Sequence, residues 1–315
     1  MIIKSYIFMA MSISFSAVLF VIPSFSLQFP IHSTWLLSLS QNLSVKPSRV
    51  VILSVGPLLL FEEFTISVCC PLDRLPAYRK CENYRGITFL PTAYKLFANI
   101  ITNRLNEHLE DEMVEEQYGL KKGRSCTDAI FTVLQIIEKR KERNLPRFLL
   151  FIDYEKAYDN VNRQSLEMMD NKSPNYLLNT IKCIFGNTKV RIKFNDGISE
   201  PIYINKGLSQ GCGLSPVKFN IYINKIIQEF KIVIKNGIQL NNRKLVNTIL
   251  YTDGQILMAT SEDEWQIMAY HLKLIARKYK MIISSIKTKS MAMCGNQIQR
   301  IKIAINENTI EHKTF

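Results

Sequence analysis

Asp153 ends an unbroken apolar run, Phe148-Leu149-Leu150-Phe151-Ile152, and Asp253 separates two strand-like runs, Leu245 to Tyr251 and Gln255 to Ala259. Carboxylates at the ends of separate strands are how two-metal phosphoryl-transfer sites are assembled around Mg²⁺. The two aspartates lie 100 residues apart in the chain, so only the fold can bring them together. Either one alone reads more simply as a turn residue, and the pair needs support from its neighbours. Other chemistries are poorly supplied. The seven cysteines (69, 70, 81, 126, 183, 212 and 294) form no C-x-x-C pair, and the four histidines (32, 108, 271 and 312) stand at no metal-ligand spacing to them. That argues against a zinc site and a disulfide framework, and for small buried thiols of a reducing compartment.

The elements that must carry the carboxylates alternate along the chain. Leu96, Phe97, Ile100, Ile101 and Leu105 recur at helical spacing after a Thr92 cap, which predicts a helix to about Glu110. A second helix starts at caps within Ser125 to Asp128 and ends in the charged run Glu138 to Arg143, before the turn at Pro146. The Phe148 to Ile152 run reads as a strand buried on both faces. Lys189 to Phe194 and Ile202 to Ile204 alternate on either side of an Asn195-Asp196-Gly197 turn, which predicts a hairpin. Gly207 to Gly213 is a glycine-rich loop, with Ser215 as the cap and Pro216 as the first residue of the next helix. Thr252-Asp253-Gly254 makes a second hairpin turn. Glu262 to Tyr279 carries a helical stripe of Trp265, Met268, Leu272 and Ile275, and residues 281 to 293 return to strand character. This order predicts an α+β fold whose antiparallel sheet is backed by helices.

Forty Lys+Arg against 27 Asp+Glu give a net charge of +13 in 315 residues. Residues 1–66 hold only Lys4, Lys46, Arg49, Glu62 and Glu63; subtracting these from the totals leaves 37 basic and 25 acidic residues, so +12 belongs to the rest. Such an excess points to a polyanionic partner. Residues 5–45 contain no charged side chain, and residues 7–22 behind Lys4 have the pattern of a signal peptide or membrane anchor. The competing reading is unrelated sequence read into the gene, because this composition shares nothing with that of residues 67–315. The domain organisation expected is therefore an apolar segment at 1–66, one folded unit at 67–295, and a connection at 296–315.

Six blocks then carry a resemblance. Residues 82–104 (Glu-Asn-Tyr-Arg-Gly-Ile-Thr-Phe-Leu-Pro and onward to Arg104) resemble the opening fingers block of reverse transcriptases from non-LTR retrotransposons. Glu116-Gln-Tyr-Gly-Leu-Lys-Lys-Gly-Arg-Ser125 is similar to the family's Q-x-G-F-x-x-G-R-S, and Phe151-Ile-Asp-Tyr-Glu-Lys-Ala-Tyr-Asp159 to its F-x-D-x-x-K-A-F-D. Gly207-Leu-Ser-Gln-Gly-Cys-Gly-Leu-Ser-Pro216 resembles G-x-x-Q-G-x-P-L-S-P, Tyr251-Thr-Asp-Gly254 stands in the place of Y/F-A-D-D, and Lys287-Thr-Lys-Ser-Met291 resembles K-T-K-x-M. Six blocks in one order are far more specific than any single motif.

The resemblance implies right-hand polymerase fingers and palm, an RNA template, a DNA primer, deoxynucleotide substrates and two Mg²⁺ ions. It implies Asp153 and Asp253 as metal ligands and catalytic residues, and Lys287 as the group that protonates or neutralises departing pyrophosphate. Arg85 would contact the triphosphate, Tyr158 would exclude a ribose 2′-hydroxyl, and Gln210 and Gly211 would lie against the incoming nucleotide and template. Lys121, Lys122 and Arg124 would track the nucleic-acid backbone, as would the basic run 139–143, which reads equally as a solvated helix end. An intracellular location follows from the family and conflicts with the signal-like start.

Several positions depart from the family. Gly254 replaces the second aspartate of Y-A-D-D, which removes negative charge beside the cations and predicts severely reduced polymerisation. Gly213 replaces a proline, Ser209 an arginine, and the link Met168 to Pro174 is altered. Ile301 to Phe315 resembles the strand leading out of the palm, with no thumb expected after it and no endonuclease before Ser67. The alternatives to an impaired polymerase are a non-catalytic nucleic-acid-binding remnant and a membrane-anchored or secreted protein defined by residues 1–66.

Overall fold

A computed structural model describes residues 66–71, 84–109, 112–165, 173–186, 188–194, 197–241, 244–294, 297–298, 304–305 and 308–312. The signal-like run, the Asn195-Asp196 turn, most of the Met168 to Pro174 link and most of 296–315 lie outside the described residues. In chain order the elements are β1 (Ile66–Pro71), β2 (Tyr84–Phe89), α1 (Thr92–Leu109), α2 (Cys126–Glu142), β3 (Arg147–Ile152), α3 (Ala157–Asn160) and α4 (Asn175–Gly186). They continue with β4 (Lys189–Phe194), β5 (Gly197–Ile198), β6 (Ile202–Tyr203), α5 (Leu214–Val233), β7 (Ile238–Asn241), β8 (Lys244–Val246), β9 (Thr248–Tyr251) and β10 (Gly254–Ala259). Last come α6 (Glu262–Lys278), β11 (Lys289–Cys294), β12 (Gln297–Ile298), β13 (Ala304–Ile305), β14 (Asn308–Thr309) and β15 (Glu311–His312).

All six residues of β3 are buried, as the continuous apolar run requires. Successive side chains of a strand point to opposite faces, so each face of β3 needs its own cover. Phe148, Leu150 and Ile152 enter one core with Phe219, Ile223, Trp265 and Leu272 of α5 and α6. Leu149 and Phe151 enter a second core with Ala129, Val133 and Ile136 of α2. β10 divides in the same way, with Leu257 and Ala259 in the first core and Ile256 and Met258 in the second. The central sheet runs β12-β11-β3-β10-β9, antiparallel at each of those joins, with β15 added parallel to β11. A smaller sheet runs β2-β1-β4-β5, with β6 also paired to β4.

The segment 116–118 covers the outer edge of β9: Leu250 N–H donates to Glu116 O at 2.9 Å and Tyr118 N–H donates to Leu250 O at 2.9 Å. The strand expected from Leu245 to Tyr251 is interrupted at Asn247, whose buried amide donates to Ile234 O and Asn236 O at 3.3 and 3.2 Å. β8 therefore pairs with β7, and β9 pairs with β10. Of residues 281–288 only Ile283 pairs as a strand residue, in a single antiparallel bridge to Tyr154; Thr288 N–H then turns back to Ser284 O and Lys287 N–H to Ser284 Oγ, and β11 begins only at Lys289.

Helix α5 starts at Leu214 with Gly213 as its cap, so Pro216 is the third helical residue and not the first. Proline is tolerated there because first-turn N–H groups have no helical acceptor. Ser215 Oγ does not cap; it donates to Ser209 O at 2.8 Å and holds the preceding loop. The cap expected for α2 is present as a reciprocal box: Asp128 N–H donates to Ser125 Oγ at 3.2 Å and Ser125 N–H to Asp128 Oδ2 at 2.8 Å. Ser125→Ala is expected to lower stability by about 1 kcal/mol, read as the shift in urea midpoint at unchanged m-value.

Candidate active site

The register of the central sheet sets where the two aspartates meet. β10 pairs with β3 through Gln255 opposite Ile152, so one step further Gly254 comes opposite Asp153. β10 pairs with β9 through Gly254 opposite Tyr251, so the connection is the two residues Thr252 and Asp253. Gly254 thus belongs to the strand, and the turn expected at Asp-Gly is made by Thr-Asp. Thr252 is buried and has φ 54°. A β-branched residue in the left-handed region is strained, and persists only where its surroundings hold it.

Asp153 is anchored through its backbone by the turn 284–288. Its N–H lies 3.4 Å from Thr288 Oγ1, and its carbonyl accepts from Ser284 N–H at 2.9 Å. The same turn carries Lys287, whose Nζ stands 3.6 Å from Asp153 Oδ1. The lysine side chain is half exposed, so this ion pair contributes little to stability.

Asp253 lies within electrostatic reach of two buried tyrosines. Burial first, and the Asp253 carboxylate second, hold the Tyr158 and Tyr154 phenols well above the usual tyrosine value. The Tyr158 ring stacks on Phe219 of α5 with centroids 4.6 Å apart and planes 10° apart, and its buried hydroxyl makes no hydrogen bond among the described residues. Tyr154 hydroxyl instead donates to Gln255 Oε1 at 2.8 Å, inside the sheet.

The glycine-rich loop lies against both Tyr158 and the smaller sheet. Leu208 N–H donates to Tyr158 O at 2.9 Å, and Thr88 N–H of β2 donates to Gln210 O at 2.8 Å. Gly211 has φ 110°, and a β-carbon there would stand 2.7 Å from Thr88 O. The close approach that Gly211 permits in this structure is thus to the backbone of β2. Gln210 Nε2 lies 3.5 Å from Asp159 Oδ1. Behind the loop, Arg163 is buried and donates to Gly207 O, Phe185 O and Ile204 O at 2.8, 2.8 and 2.7 Å, joining the loop to α4 and to the residue just after β6. Arg163 carries no sequence signal for this role, because its type alone says nothing of three convergent carbonyls.

The remaining expected residues are more dispersed. Arg85 lies on β2 opposite Cys70, and its side chain is outside what the structure describes. Arg124 is held over the Tyr118 ring at 4.7 Å and donates to Glu115 O at 3.1 Å; Lys121 and Lys122 sit on the turn just before it. Arg140 donates twice to Pro146 O, at 2.9 and 2.6 Å, so this part of the basic run closes the α2–β3 connection.

Among the described residues no group of three or more His, Cys, Asp or Glu gathers as a metal cluster. The carboxylates at hand are Asp153 and Asp253 on adjoining strand ends. That donor set fits Mg²⁺, which commonly takes one or two protein carboxylates and completes its shell with water and substrate phosphate.

The sequence profile of the family described as reverse transcriptase (RNA-dependent DNA polymerase) matches residues 76–310. A Xenopus laevis protein named transposon TX1 uncharacterized 149 kDa protein is 25% identical over 151 residues, covering 47% of this chain and 12% of its own length. The retrovirus-related Pol polyprotein from type-1 retrotransposable element R2 of Nasonia vitripennis is 21% identical over 185 residues, covering 58% of this chain and 18% of its own length. The chain thus spans less than a fifth of either relative. Telomerase from Candida albicans, solved with a fragment of telomeric RNA, superposes with a TM-score of 0.52 at 10% identity, over 81% of this chain and 45% of that one. That likeness is one of fold. Gly211→Ala is expected to cost about 1–3 kcal/mol, since it adds backbone strain and drives a methyl group against Thr88 O; chemical denaturation measures it.

Proposed function

We propose, from the premise that this chain belongs to the reverse transcriptase family and is a domain of the non-LTR retrotransposon kind, that residues 67–295 form the fingers and palm of an RNA-directed DNA polymerase whose activity is impaired at Gly254. The observation that carries this reading is the sheet register, which brings Asp153 and the Asp253 turn side by side with a residue lacking a side chain between them. Residues 296–315 would lead out of the palm.

Asp153 and Asp253 would hold the two Mg²⁺ ions of the reaction. Bound there, Mg²⁺ supplies positive charge that favours the ionised primer 3′-hydroxyl and the departing pyrophosphate. The chain's own groups then do the rest. Lys287, on the turn beside Asp153, would release that carboxylate and give a proton to pyrophosphate. Tyr158, fixed flat on Phe219, presents a rigid edge against a ribose 2′-hydroxyl. Gln210 and Gly211 line the nucleotide side through the loop seated on β2, and Arg85 of that strand would meet the triphosphate. Lys121, Lys122 and Arg124 would follow the template–primer backbone. Gly254 lacks the negative charge that the family carries directly across the sheet from Asp153, so the cations would be held by fewer ligands.

Primer extension on an RNA template decides the matter. Gly254→Asp is expected to extend at least about 10²-fold faster than the natural chain, and Asp153→Ala to abolish extension by both. No extension by Gly254→Asp would overturn the proposal of a latent polymerase. RNA binding should persist in Asp153→Ala and weaken steeply as salt rises, because phosphate contacts release counterions. Binding indifferent to salt would contradict a nucleic-acid partner for the +12 region.

A further inference from the structure

The strained Thr252 is held by one side chain. Gln117 Oε1 accepts from Thr252 N–H at 3.2 Å and from Gly119 N–H at 2.8 Å, while its Nε2 donates to Thr252 O at 3.3 Å. Both polar atoms of the amide are thus engaged, and the pattern of donors and acceptors sets which is oxygen and which nitrogen. Gln117 and Thr252 are each 2% exposed, so neither can exchange these partners for water. Gly119 allows the approach, because a β-carbon at that position would stand 2.3 Å from Thr252 N. The segment is fixed in turn to α5: Asn220 Nδ2 donates to Gly119 O at 3.0 Å, and Lys231 Nζ meets Glu116 Oε1 at 2.6 Å.

We infer that Gln117 is a positioning residue for Asp253. By bonding the N–H and the carbonyl of Thr252, it fixes the left-handed turn that directs the next residue toward Asp153. Gln117 acts on Asp253 through the backbone of Thr252, and its role rests on the reading of Asp153 and Asp253 as the metal-binding pair.

Hydrogen exchange read by mass spectrometry on the full chain, with Mn²⁺ titration as a probe of the carboxylates, tests this without requiring polymerisation. Gln117→Met fills the same space without the three hydrogen bonds. It is expected to speed exchange in the 248–254 segment about tenfold and to weaken Mn²⁺ binding by a similar factor, with β3 unchanged. Gln117→Glu keeps the acceptor for both N–H groups but sets an acceptor oxygen against Thr252 O, so it should restore part of the protection and not all of it. Unchanged exchange in 248–254, or a loss shared equally by β3, would overturn the inference. If Gln117→Met does not fold, Gln117→Asn, too short to reach Thr252, must show the same local loss. A protein with the expected exchange pattern but no Mn²⁺ binding in any form would support the clamp while removing the nucleotidyl-transfer reading.

Discussion

Asp153 can stand at the rim of the core because the strand that delivers it is buried on both faces. β3 sends Phe148, Leu150 and Ile152 into one core and Leu149 and Phe151 into the other, so it cannot rotate or slip by a residue without turning both sets out of place. That constraint fixes the height at which Asp153 emerges, and pairing with β10 then fixes where Gly254 and Asp253 lie relative to it. Helices α2, α5 and α6 are present on the two faces for the same reason, since a strand apolar on both sides needs two covers.

The site is assembled less by contacts between functional side chains than by backbone held from behind. Asp153 is gripped through its N–H and carbonyl by residues 284–288, Thr252 by Gln117, and the glycine-rich loop by Thr88 and Arg163. Each grip comes from a different part of the chain. Placing an aspartate through its own backbone makes its position independent of what its carboxylate oxygens bind, which fits the cation-holding role proposed for it.

Much of this was legible in the sequence and some was not. The uninterrupted apolar run marked β3, the cap candidates from Ser125 to Asp128 marked α2, and the stripe from Trp265 to Ile275 marked α6, because burial and capping leave local signatures. The order of six blocks pointed to the family. What escaped were features that depend on tertiary neighbours. Nothing local distinguishes Asn247 as a strand breaker, since the carbonyls it bonds come from Ile234 and Asn236. The turn at Thr252-Asp253 was misplaced by one residue because Asp-Gly is the stronger local signal, and Gln117 makes the less favourable Thr252 conformation available. Ser215 looked like a cap, but the loop it bonds draws it away.

The strip of chain at 116–118 that supports the turn also occupies the free margin of β9 with main-chain hydrogen bonds. An open margin of this kind is a template on which another polypeptide can add a strand. The fold closes that side from within, using a segment itself tied to α5. Protection against unwanted self-association and correct placement of the Thr252-Asp253 turn are therefore one structural commitment, and loosening the strip would expose the sheet to foreign strands as it released the turn.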